Sequence, residues 1–287
     1  MLRSFIPNLY QALIMLIFAL LSTNALAERG LFWKAESRTA PTIYLFGSIH
    51  TDDNRVTDFP PSVLAALKSI DVFMMESDAP QDPRMLQTPD SDLKSSLSPK
   101  ELEQLYALAD FHVMHRDVAL RTKPWLLAVV FDSPRPLTPY AQDNLLMRLA
   151  EDNGKAVQGI ESAAEHFAVM DSLTQAEQLA LLRQVLKRSQ QAKERDYEQL
   201  IKAYLKGDAN KLAALNAHTT GSMLSRPLWE KMRVKLLDER NTVMAQRVLA
   251  KAQDNSLFVV VGASHLAGST GLLATLKQAG YKLSVVK

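Results

Sequence analysis

The chain has 287 residues, with 33 Lys and Arg against 31 Asp and Glu, six His and no Cys. That near-balance leaves no charge excess to attract DNA, RNA or an anionic membrane surface, so no nucleic-acid partner is expected. Without cysteine there is no thiolate nucleophile, no Cys-ligated zinc or iron–sulfur cluster and no disulfide, and any metal has to rest on His, Asp and Glu.

Arg3 precedes an apolar run from Leu9 to Leu21, and Ala25-Leu26-Ala27 follows in the A-x-A arrangement that signal peptidase cuts. Residues 1–27 therefore read as a cleaved secretory signal, and the mature chain, 28–287, is expected to be carried across the inner membrane into the periplasm. The run is close to the ~20 residues that span a bilayer. An uncleaved anchor is the alternative, and the only route to a membrane, but Ser22, Thr23 and Asn24 interrupt the run. The mature length suits one large domain, and a single domain is the reading adopted.

From Thr42 onward, short β-rich runs alternate with helical patterns. This is the signal of an α/β protein with a largely parallel central sheet flanked by helices. Strands are expected at 43–46, 72–75, 156–159, 258–261 and 282–286. Between the first two, Pro60-Pro61-Ser62 leads into Val63, Leu64, Leu67 and Ile70, a proline-started amphipathic helix that crosses to the next parallel strand. Residues 78–99, with their Pro, Ser and Asp, read as the most loop-like part of the mature chain. Residues 174–206 and 228–252 are rich in Gln, Glu, Leu, Lys and Arg at helical spacing, so a helical insertion or cap is expected over about 174–252.

In an open parallel sheet, ligands bind beyond the carboxyl ends of the strands. IYLFGSIH, residues 43–50, and FVVVGASH, residues 258–265, both put a histidine there, His50 and His265, three residues after Gly47 and Gly262. A glycine at that point permits a sharp turn or a close backbone approach. One GxxH is a short pattern; two, after matching strands, point to a shared site. VFMMESD and AVQGIES put Glu76 and Glu161 at the ends of two further strands. Two imidazoles and two carboxylates suit a divalent ion of the zinc, manganese or cobalt kind. Each Glu alone reads equally well as a carboxylate at a helix N-terminus, Glu161 above all, ahead of a helix at 163–170.

The other histidines offer less. His112 and His115 in DFHVMHRD are one helical turn apart, but Asp110, Arg116 and Asp117 around them fit a solvated helix end, and His166 and His218 are isolated and read as structural. GASHL opens like a nucleophile elbow around Ser264, yet Leu266 stands where the final glycine is needed. Neither a Walker A sequence nor G-x-G-x-x-G occurs, and Gly268-Ser269-Thr270-Gly271 reads as a helix cap.

YLFGSIH, VFMMESD, GKAVQGIES, DERNTVMAQRV and LFVVVGASHLAGSTGLLATLKQAGYKLSVV occur in an order and spacing that resemble the TraB/GumN family over nearly the whole mature chain. That family also includes the Tiki proteases and the pheromone-shutdown protein PrgY. The resemblance implies an α/β fold with internal pseudo-symmetry and, for the Tiki branch, a metal-dependent peptidase. Carried over by position, His50, Glu76 and His265 would bind a manganese, cobalt or zinc ion. Glu161, the Arg240-Asn241 pair and Asp143 in AQDNLL match further family positions, and Ser48 stands where Thr is commoner.

On this reading the metal activates water, and Glu76 or Glu161 either ligates it or takes the water's proton. Arg240 stabilises the developing oxyanion or neutralises a carboxylate. The substrate is a peptide or protein segment of the cell envelope. The alternative is a non-catalytic periplasmic peptide- or ligand-binding protein of the PrgY kind, using the same residues. An accessory role in polysaccharide export follows from the GumN name alone.

Overall fold

Successive residues of a strand point to opposite faces, and the apolar runs of this chain are long enough to fill both. Six strands form one sheet: β1 (Phe32–Glu36), β2 (Ile43–Ser48), β3 (Val72–Ser77), β4 (Ala156–Glu161), β5 (Leu257–Gly262) and β6 (Lys282–Val285). Their order is β4-β3-β5-β2-β1-β6. β4, β3, β5 and β2 run parallel, while β1 pairs antiparallel with both β2 and β6. The computed structural model describes residues 29–88, 93–138 and 140–287, so the expected signal segment lies outside the described residues.

The five expected strands are present. β1 is additional: its alternation is short and carries Lys34 and Glu36, and it becomes a strand by pairing with β2 and β6.

Leu257, Val259 and Val261 of β5 join Ile43, Leu45, Val72 and Met74 on one face. They pack there against Met244, Val248, Leu272 and Leu276, from the helices Arg240–Lys251 and Leu272–Gln278. Phe258 and Val260 join Phe32, Phe46 and Phe73 on the other face, under Val63, Leu67, Leu146 and Ala150 of the helices Pro61–Ser69 and Gln142–Asp152. The Phe258 ring lies 5.6 Å from Phe32 and 5.9 Å from Phe73 between centroids. Each such pair adds about 0.5–1.5 kcal/mol beyond the area it buries.

The middle of the chain covers the carboxyl edge of the sheet. Leu105, Trp125, Leu127 and Phe131 share a separate core with Leu182, Val185 and Leu186, so the helical cover draws on residues before β4 as well as after it. Ile201, Tyr204 and Leu212, from the helices Gln190–Leu205 and Ala209–Met223, pack onto Val56 and Ala263 just beyond the strand ends. The helix Arg240–Lys251, by contrast, belongs to the sheet's own core and leads into β5. Residues 78–99 hold a 3-10 turn, Pro83–Leu86, and a short helix, Leu93–Ser96. Among the described residues no helix is long and apolar enough to cross a membrane.

Candidate active site at the strand ends

β2 and β5 are neighbours, with Gly47 opposite Val261 and Ser48 opposite Gly262, so the two GxxH motifs leave adjacent strands one residue out of step. Gly262 leads straight into the 3-10 turn Ala263–His265 and Gly47 lies within β2, and neither has a positive φ; among the described residues the glycines that do are Gly154, Gly207, Gly268 and Gly280. Gly47 serves close approach instead. A Cβ on it would stand 2.7 Å from Leu266 Cδ1 and 3.1 Å from the Ala263 Cα. Gly262 does something different, since a Cβ there would meet only ordinary contacts, 3.4 Å to Glu76 Oε2 and 3.7 Å to both His265 Cδ2 and His50 Nε2. Its missing side chain leaves a gap among these three residues.

His265 sits in the 3-10 turn Ala263–His265 and is buried. Its Nδ1 is 2.6 Å from Asn241 Oδ1, which can only accept, so Nδ1 carries the hydrogen. In the neutral ring this leaves Nε2 with a lone pair, 3.6 Å from Glu76 Oε1 and 3.5 Å from Arg240 Nη1. His50 lies in the loop after β2, its side chain 60% exposed, with Nδ1 2.9 Å from Asp143 Oδ2. The Asp143 carboxylate raises the His50 pKa to about 9. Asp143 belongs to the first turn of the helix Gln142–Asp152, where a helix dipole favours negative charge, and its Oδ1 is buried without a hydrogen-bond partner. Buried Gln142 fixes the loop, its Oε1 accepting from Ile49 N and from the Tyr204 hydroxyl, each at 3.0 Å.

Glu76 and Glu161 end the paired strands β3 and β4, and Arg240 binds them together. Arg240 Nη2 stands 2.6 Å from Glu76 Oε1, 2.8 Å from Glu161 Oε2 and 3.0 Å from His166 Nδ1, while its Nε lies 3.1 Å from both Glu161 oxygens. Glu76 Oε2 accepts from Gly262 N at 2.9 Å. Burial opposes ionisation of Glu76, but His265, Arg240 and His50 outweigh it and hold the carboxyl well below its usual range. Glu161 is also lowered, burial being outweighed by His166 and Arg240.

Glu161 is not the carboxylate of a helix N-terminus. That task falls to Glu165, which forms a capping box with Ser162 at the start of the helix Ala163–Asp171. A π-helical turn, Val234–Glu239, precedes Arg240, and such wide turns cluster at functional sites. It delivers two consecutive residues to the site, Arg240 to the carboxylates and Asn241 to His265.

Several histidine readings change. His166 is no isolated residue: it accepts from Arg240 and lies 3.7 Å from both Glu76 and Glu161. The signal for it was the Ser162-x-x-Glu165 box directly behind a strand, which puts His166 one turn into a helix above that strand's end. His112 is not solvated. Both its ring nitrogens are buried without partners, its ring lies 5.1 Å from Phe111 and 5.6 Å from Phe131, and burial lowers its pKa to about 4. His115 and His218 are exposed. Ser264 Oγ accepts from Asn216 Nδ2 at 3.0 Å, and with the His265 Nδ1 hydrogen directed to Asn241 there is no Ser–His pair.

A cavity of about 400 Å³ opens over these groups, with His50, Glu76, Gly262 and His265 on its sheet side and Asp132, Lys193, Asp196 and Tyr197 on its helical side. Arg240, Glu161 and His166 stand behind Glu76. As placed, no group of three or more His, Asp or Glu among the described residues forms a ligand set for a metal ion. The donor chemistry nonetheless fits one: both histidines have Nδ1 held by an oxygen, the usual bracing of a metal-ligating imidazole, and a carboxylate lies between them beside the Gly262 gap.

No curated protein and no solved structure matches the chain. The model of the TraB/PrgY/gumN family matches residues 31–285, from β1 to the end of β6, and the chain belongs to the TraB/PrgY/gumN family.

Proposed function

We propose that the protein is an exported, metal-dependent peptidase or related hydrolase acting on peptide or protein segments of the cell envelope, with the cavity at the strand ends as its active site. The observation that carries this reading is the pair of braced imidazoles and the Glu76 carboxylate around the gap left by Gly262. His50, His265 and Glu76 would hold a manganese, cobalt or zinc ion, whose Lewis acidity makes water nucleophilic near neutral pH.

The chain's own residues divide the remaining work. Glu76, kept ionised, is a better ligand than proton acceptor, because a carboxyl held well below its usual range is a weak base. Arg240 and Glu161 lie outside the cavity lining and act through Glu76. The guanidinium cancels the repulsion of two buried carboxylates and fixes the direction of Glu76. Asp143 and Asn241 hold the two imidazoles by Nδ1, leaving His50 Nε2 at the gap beside Gly262 and His265 Nε2 next to Glu76.

The non-catalytic binding protein is favoured by one observation, that Arg240 already bonds to both Glu76 and Glu161. Metal analysis of protein purified without chelator, with melting in manganese, cobalt, zinc or chelator, and a peptide-library cleavage assay decide between them. Ion binding that raises the melting temperature, together with product, supports the peptidase. Peptide binding without either supports the binder. Gly262→Ala is a sharper probe: its contacts allow folding, and the added methyl should fill the gap and remove the ion-dependent melting shift.

A further inference from the structure

Lys193, on the helical wall of the cavity, is 4% exposed, and among the described residues its ammonium has one hydrogen bond, Nζ to Phe131 O at 2.7 Å. An ammonium has three N–H groups, so two remain to be used. The carboxylates on the same wall are hydrogen-bonded elsewhere: both Asp132 oxygens accept from Arg188 Nη1, at 2.6 and 2.7 Å, and Asp196 accepts from Arg188 Nη2. Asp132 attracts the ammonium, but among the described residues no carboxylate forms a salt bridge with it, and a buried cation so weakly paired is a candidate for function. Burial lowers the Lys193 pKa, with the attraction of Asp132 opposing it only in part.

We propose that Lys193 receives a carboxylate of the bound ligand, so that the cavity takes the acidic end of a short peptide, with the remainder reaching toward His50, Glu76 and His265. This rests on the reading of the cavity as a peptide site. At about 400 Å³ it lies near the lower end of ligand pockets and suits a chain end better than a chain running through. The carboxylate comes either from the peptide's C-terminus or from an acidic side chain, and both present the same two oxygens to an ammonium.

The test compares wild-type protein with three probes: an N-acetylated alanine tripeptide with a free carboxyl end, its C-terminal amide, and an amide of the same length carrying one glutamate. Binding is read by calorimetry and cleavage by mass spectrometry. A charge-assisted bond predicts about tenfold tighter binding of at least one carboxylate probe over the plain amide, and which one names the source. Lys193→Met should erase the discrimination and Lys193→Arg should keep part of it. Equal affinity of the wild type for all three probes overturns the proposal, as does discrimination that survives in a folded Lys193→Met protein. If that variant melts lower with its discrimination intact, Lys193 merely anchors the Phe131 carbonyl. Because binding and cleavage are read separately, discrimination without product refutes the peptidase and leaves the carboxylate site standing, and product without discrimination does the reverse.

Discussion

Two neighbouring parallel strands end in the same four-residue pattern, and the two histidines they deliver sit in opposite environments. His265 is buried and faces the amide oxygen of Asn241, which carries no charge. His50 is mostly exposed and faces the Asp143 carboxylate, which raises its pKa. Motif and strand place each ring; the groups that meet its nitrogens come from elsewhere in the chain. One imidazole held by an amide, one held by a carboxylate, and Glu76 beside them give two like residues different surroundings.

The strongest test of this asymmetry removes the cation on the buried side. Arg240→Met should destabilise the protein by about 3–5 kcal/mol in denaturant unfolding at neutral pH, because buried Glu76 and Glu161 lose the guanidinium that bonds to both. In the wild type both carboxyls are held below their unfolded values. Their contribution is present above about 4.5 and lost as pH falls, so the gap between variant and wild type should narrow on acidification. A loss under about 1 kcal/mol would show that the guanidinium does not hold the cluster together.

Next comes the histidine pair. His265→Ala should cost about 1–3 kcal/mol without metal, since it leaves the buried Asn241 Oδ1 without its donor, whereas exposed His50→Ala should stay within about 0.5 kcal/mol. Both variants should lose any melting shift produced by a divalent ion. Equal costs in chelator would erase the distinction between buried and exposed halves.

His112 sharpens the comparison, because among the described residues its ring nitrogens have no partner. Its folded pKa, about 4, lies below the unfolded 6.5, so its neutral form stabilises fully above 6.5 and that contribution is lost as pH falls toward 4. His112→Phe should flatten the acid slope of stability between those values, measured as the urea midpoint against pH. An unchanged slope would mean that the ring is protonated in place.

A small effect on stability is also expected of Asp143→Asn, under about 1 kcal/mol for a partly exposed pair. Because the folded His50 pKa is raised, the pair's contribution is complete below 6.5 and disappears as pH rises through about 9, so the cost of the variant should be visible at pH 6 and absent above 9. A proton NMR titration should show the His50 pKa lower in the variant than in the wild type. An unchanged value would assign the shift to some other group.

Much of this was legible in the chain. Unbroken apolar runs such as FVVVG and IYLFG carry their own strand signal, since a strand covered on both faces needs apolar residues at every position. The residue directly after a parallel strand projects to the functional edge, so His50, Glu76, Glu161 and His265 could be named from order alone. β1 could not, because Lys34 and Glu36 blur its alternation and its pairing partners lie at both ends of the chain. His166 and His112 were misread for one reason. Local neighbours suggest polarity or isolation, while the groups that surround these rings, Arg240 in one case and Phe131 in the other, come from distant segments.

The sequence by itself determined five of the six strands, the crossover helix, the absence of thiol chemistry and the four strand-end residues, because these follow from local pattern and from which atoms the side chains possess. Only the tertiary structure decided what each residue faces. Gly47 serves close packing and Gly262 a gap, Arg240 stands behind Glu76 instead of in the cavity, and one histidine meets an amide where its twin meets a carboxylate. The physical reason is range: propensity and alternation act over a few residues, whereas burial, charge pairing and steric room are set by groups brought together from far apart, as Glu76, Arg240 and His265 are here.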